Sequence, residues 1–150
     1  MITLSVDYGD VRTGIAICDP SELLASPVTV IKETYMPKLA AKIADIARER
    51  CAELILVGCP VNMDGTKGER AEKCTELANY IRDEYGFKTD MWDERMTTME
   101  AHTILNATNT RGKKRKAVVD AVAATIILED YLKYRKTKKL ETEDKKWMVK

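Results

Sequence analysis

The chain has 150 residues, enough for one domain of ordinary size and short for two. Hydrophobic residues make up 45% and charged residues 33%, which supports a packed core and excludes a generally disordered chain. The formal net charge of +1 hides an asymmetry: residues 1–110 sum to −6 and residues 111–150 to +7, so a polyanion would be held locally, at the basic end.

In chain order, Ile2, Leu4 and Val6 alternate with Thr3, Ser5 and Asp7, the period of a strand. Gly9 and Gly14 bracket a turn into a second strand, TGIAIC (13–18), and SPVTVI (26–31) reads as a third. Pro37 stands where a helix begins, and Leu39, Ile43 and Ile46 give residues 38–51 a helical stripe. LILVGC (54–59) is a continuous apolar run, the mark of a central strand buried on both faces. Thr66 and Glu69 form a capping box for a helix with Ala71, Cys74, Ala78, Ile81 and Tyr85 on one face. Residues 88–92 make the last strand, and Thr97 and Glu100 cap a helix to about Ala107. A final helix is expected over 115–134, followed by a charged tail. The order βββαβαβαα describes an α/β domain: a hairpin-led sheet of five strands with helices on its faces.

No apolar run approaches the ~20 residues that span a bilayer, and MITLSVDYGD lacks a signal-peptide layout, so the expectation is a cytoplasmic protein without membrane contact. Cys18, Cys51, Cys59 and Cys74 form no C-x-x-C pair and His102 is the single histidine, which argues against structural zinc and a disulfide framework. Cys51, Cys59 and Cys74 read as small core residues, and His102 as an exposed, idle one.

Three acids stand out. Asp7 ends a strand with Gly9 two residues on, where the chain can turn sharply beside the carboxylate; on DYG alone an ordinary turn aspartate is the better reading. Glu94, in WDER, stands just beyond another strand end, or is a loop acid paired to Arg95. Asp120 is the one ionisable residue in AVVDAVAATIIL (117–128), with Ala117, Ala123 and Ala124 a helical turn away. A carboxylate on so apolar a surface requires a cation, a set of donors or a metal, the alternative being a weak pair with Lys116. Acids converging without His or Cys suit a hard cation such as Mg²⁺ or Mn²⁺.

Two basic segments could hold phosphate. In GCPVNMDGTKGERAEKC (58–74), Lys67 and Arg70 flank a helix start, although the spacing is not that of a Walker A loop and, on this segment alone, a plain capped helix entry is the better reading. RGKKRK places Arg111, Lys113, Lys114, Arg115 and Lys116 at the entry of the helix that carries Asp120; the ordinary alternative is a solvated linker. Nine aromatics without basic interleaving offer no stacking platform, so recognition by shape and backbone is expected.

Five segments in order, VDYGDVRTGIAICDP, LLASPVTVI, LVGCPVNMDGTKGERA, WDERMTTMEA and KRKAVVDAVAATIILEDYL, resemble the YqgF/RuvX-type proteins, known as pre-16S ribosomal RNA nucleases or Holliday-junction resolvase-like proteins. The resemblance covers most of residues 4–132. It departs at Cys59, where the family more often has leucine, and at Gly112, which interrupts the basic run. It implies an RNase H-like fold with a five-stranded mixed sheet over residues 1–134, leaving 135–150 as a charged tail. It also implies a carboxylate site of Asp7, Glu94 and Asp120, with Arg12, Lys67 and Arg70 facing the nucleic acid.

The resulting expectation is a metal-dependent phosphodiesterase that trims the 5′ end of pre-16S rRNA, with branched DNA as the competing substrate and pre-ribosomal particles as partners. Asp7 would bridge two Mg²⁺ or Mn²⁺ ions roughly 3.5–4 Å apart, with Glu94 and Asp120 completing their shells, giving 5′-phosphate and 3′-hydroxyl products. Rival readings are a non-catalytic RNA-binding assembly or transcription factor and, because DYGDVRTG also resembles an actin-type phosphate loop, an ATP-handling protein. The sequence leaves monomer and homodimer both open.

Overall fold

The structure, a computed structural model, describes the backbone of residues 1–59, 68–93 and 113–148, and within the last segment the side chains of residues 121–138. The alternation at the N-terminus forms β1 (Thr3–Asp7), which pairs antiparallel with β2 (Arg12–Cys18), and β2 in turn with β3 (Ala25–Lys32). A register shift at Ile15/Ala16 lets edge strand β3 carry Pro27, which donates nothing to the ladder. LILVGC forms β4 (Leu54–Cys59), buried at every position and parallel to β1, as its unbroken apolar run requires. β5 (Lys88–Asp93) extends the parallel part, so the sheet order is β3-β2-β1-β4-β5.

The two faces carry different helices. On one, α1 (Met36–Glu49) and α2 (Glu69–Tyr85) cover Leu4, Val6, Ile15, Ile55 and Val57 with Leu39, Ile43, Leu77 and Ile81. On the other, α3 (Lys113–Met148) packs Ala124, Ile127, Leu128 and Tyr131 over Ala16, Leu54, Leu56 and Trp92. Each large aliphatic side chain so buried contributes about 1.5–3 kcal/mol, so two separate cores clamp the sheet from both sides.

Four local expectations are corrected. α2 begins at Glu69 with Gly68 as its N-cap and no side-chain cap, so Glu69 is the first helical residue and not the third, as the capping box placed it. Pro37 sits in the first turn of α1, which starts one residue earlier at Met36. Cys51 is exposed, because α1 stops at Glu49 and Cys51 takes a left-handed φ of 58° in the turn that follows; Cys18, Cys59 and Cys74 are buried. The charged segment after residue 134 continues α3 as helix to Met148. His102 and the helix expected from Thr97 to Ala107 lie outside the described residues. Among the described residues no helix is long and apolar enough to cross a membrane.

Candidate metal and nucleic-acid site at the sheet edge

Strands β1, β4 and β5 are parallel, so their C-terminal ends share one edge of the sheet. Asp7 closes β1 at that edge, half-buried and paired across the hairpin with Gly14. Alternation sets its face: Leu4, Val6 and Tyr8 belong to the core beneath α1 and α2, whereas Ser5 reaches α3. Asp7 therefore stands on the α3 side.

The path of α3 is fixed at two points. Ser5 Oγ donates a 2.7 Å hydrogen bond to the carbonyl of Ala124. Eleven residues on, Arg135 Nε lies 3.0 Å from Glu22 Oε1, in the β2–β3 connection at the opposite end of the sheet. From Ala124 onward the helix runs away from the Asp7 edge, so its preceding turn runs towards that edge. The backbone of Asp120 stands four residues, about 6 Å, before Ala124 on that side. Two of the three expected acids are thus carried to one edge by separate elements. The side chain of Asp120 and all of Glu94 lie outside the described residues; Asp93, the residue before Glu94, ends β5 at the same edge.

Gly9 serves the hairpin itself: a Cβ there would lie 2.1 Å from the Arg12 carbonyl oxygen, so the turn closes only with glycine. The backbone N–H of Gly9 donates to Thr13 Oγ1 and the hydroxyl donates back to the Gly9 carbonyl, both at 3.4 Å. Arg12 opens β2 at this edge and, two residues before Gly14 in the alternation, shares the face of Asp7. Its backbone joins the β2–β3 ladder opposite Lys32, and its side chain forms no hydrogen bond or ion pair with another described residue.

On the α2 side, Arg70 Nη2 donates to the Tyr8 carbonyl at 2.8 Å, and Lys73 Nζ lies 3.5 Å from Asp10 Oδ1. Burial pushes the Tyr8 phenol above its ordinary range, with the Asp10 carboxylate adding to the shift. Asp10 in turn raises Lys73. No sequence pattern announces the Arg70–Tyr8 bond, because its partner is a backbone oxygen 62 residues away. Lys67, Arg111 and the side chains of Lys113, Lys114, Arg115 and Lys116 lie outside the described residues, although α3 begins at Lys113.

Among the described residues no three acids, histidines or cysteines are gathered closely enough to hold a metal ion. Asp7 is the described member of the expected set, a hard oxygen donor on a half-buried strand end, and its chemistry fits Mg²⁺ or Mn²⁺.

Comparison with known proteins agrees with this architecture. Two structures of Thermus thermophilus RuvC, one in complex with Holliday junction substrate, superimpose with TM-scores of 0.57 and 0.55 at 13% and 14% identity, over 89% of this chain and 96% of theirs. The fold is thus RNase H-like. A protein of Ruminiclostridium cellulolyticum named "Putative pre-16S rRNA nuclease" is 38% identical over 133 residues, 88% of this chain and 94% of its own. Its namesake in Clostridium tetani is 39% identical over 132 residues, 88% of this chain and 96% of its own. The model of the RuvX family, described as Holliday junction resolvase, matches residues 1–134, and the chain belongs to that family.

Proposed function

We propose that the chain is a nuclease of pre-16S rRNA that hydrolyses phosphodiester bonds at the C-terminal edge of the sheet, within a domain of residues 1–134. The observation that carries this reading is the convergence on one edge of the Asp7 strand end and the turn of α3 that bears Asp120. Family membership and relatives bearing the nuclease name support it. Asp7, Glu94 and Asp120 would hold Mg²⁺ or Mn²⁺. Bound there, such a cation supplies Lewis-acid charge that lowers the pKa of an attacking water and stabilises the departing 3′ oxygen. Arg12, on the face of Asp7, holds a phosphate of the substrate beside the acids, with Lys67 and the 111–116 run extending the contact along the strand.

The test is cleavage of two labelled substrates, a pre-16S 5′-leader RNA and a four-way DNA junction, each with Mn²⁺ and with EDTA. Metal-dependent cutting of the RNA is the expected result. Cutting of the junction alone would assign the edge to branched DNA, and binding of RNA without cutting of either would leave a non-catalytic RNA-binding protein.

A further inference from the structure

We infer that Arg70 is a positioning residue for Asp7, and not one of the groups that grip phosphate. This rests on the reading of Asp7 as a metal-holding acid. β1 ends at Asp7, so the carbonyl of Tyr8, one residue later, has left the strand ladder. It needs another donor, since the Tyr8 side chain is buried in the core and holds the peptide beside it. The Arg70 guanidinium supplies that donor at 2.8 Å, a charge-assisted bond across 62 residues of chain. The first turn of α2 is thereby tied to the Tyr8–Gly9 peptide, one residue beyond Asp7.

The brace has little redundancy. The second tie, Lys73 to Asp10, is long at 3.5 Å and joins side chains that are 41% and 74% exposed, where ion pairs contribute least. Gly9 lies between the two anchors with its turn already at contact distance from the Arg12 carbonyl, so the loop has no slack on that side. With Arg70 gone, the Tyr8–Gly9 peptide keeps, among the described residues, only the long 3.4 Å bond from the Gly9 N–H to Thr13 Oγ1, and its loosening is transmitted through Tyr8 to Asp7. A lysine at 70 keeps the charge but loses the planar fork and its reach.

The test compares Arg70→Ala, Arg70→Lys, Lys73→Ala and Asp7→Asn in the full chain, with thermal melting to confirm folding. Two quantities are read: Mn²⁺ binding by electron paramagnetic resonance without RNA, and the salt dependence of RNA binding without metal. The expected result is Mn²⁺ affinity weakened about tenfold or more in both Arg70 variants, as for loss of a residue that orients a metal ligand. Lys73→Ala binds Mn²⁺ as the parent does, and the salt slope of Arg70→Lys is unchanged. Mn²⁺ affinity kept in Arg70→Ala but lost in Asp7→Asn, with a salt slope reduced by about 0.7–0.9, would make Arg70 a phosphate contact and overturn the inference. Mn²⁺ affinity kept in Asp7→Asn would overturn the metal site itself. If Arg70→Ala does not fold, Arg70→Lys alone decides, since it retains the charge and a donor.

Discussion

Ser5 and Ala124 are joined by a 2.7 Å hydrogen bond from the Ser5 hydroxyl to the Ala124 carbonyl, linking the middle of β1 to α3 across 119 residues. Both residues are buried and small, so strand and helix approach closely, and that approach sets where the preceding turn of α3 meets the β1 end. Ser5→Ala removes one buried hydrogen bond and is expected to lower stability by about 1 kcal/mol, or about 2–4 °C in melting temperature. Cleavage should fall more than this, because the register between Asp7 and Asp120 loosens. Melting and cleavage measured on the same preparation check both statements.

Gly9→Ala is expected to be more damaging. A Cβ 2.1 Å from the Arg12 carbonyl forces the hairpin to open, at about 1–3 kcal/mol, and the displacement falls between Asp7 and Arg12. The variant should fold with a lower melting temperature and lose most metal-dependent cleavage. Unchanged melting would show that the turn relaxes freely.

Arg12→Ala should leave melting nearly unchanged, since the Arg12 side chain bonds to no other described residue and the substitution leaves its backbone pairing with β3 in place. RNA binding should weaken, and its logarithmic salt slope should fall by about 0.7–0.9, the loss of one phosphate contact. Binding isotherms at several salt concentrations decide this.

The β2–β3 connection carries a pH dependence. The backbone N–H groups of Leu24 and Leu23 each donate to Asp19 Oδ1 at 2.9 Å, and the Ser21 hydroxyl donates to Oδ2. The Leu24 amide and Ser21 hydroxyl lead in holding the Asp19 carboxyl below the ordinary carboxylate range. A depressed pKa means the loop gains from the ionised form above the unfolded pKa and loses that gain as pH falls through the folded one. Amide exchange at Leu23 and Leu24 should therefore be slow near neutrality and show loss of protection only well into the acid range, below the ordinary carboxylate pKa. In Asp19→Asn that transition should disappear.

Much of this was legible in the chain because it rests on local periodicity. The alternation of Ile2–Asp7, the unbroken LILVGC and the 3–4 spacing of Ala71, Cys74, Ala78 and Ile81 each map onto one element, LILVGC onto a strand buried on both faces. The placement of Asp7 at a strand end and of Asp120 on the last helix followed from the same patterns; that this helix packs against the Asp7 strand is shown by the structure. What escaped was set by other forces. Thr66 and Glu69 matched a capping motif, but the helix starts at Glu69 behind Gly68. The residues after Tyr134 read as a tail by their charge, yet Lys, Arg, Glu and Leu are good helix formers and no glycine or proline interrupts them before Met148. The tie from Arg70 to the Tyr8 carbonyl joins distant segments through a backbone atom, which no residue pattern can announce.

The most direct measurement is cleavage of pre-16S 5′-leader RNA by the parent chain and by Asp7→Asn, with Mn²⁺ and with EDTA. The expected result is metal-dependent cutting that falls by more than about a hundredfold in Asp7→Asn while melting and RNA binding persist. Cutting by Asp7→Asn at the parent rate, or cutting that survives EDTA, would contradict it.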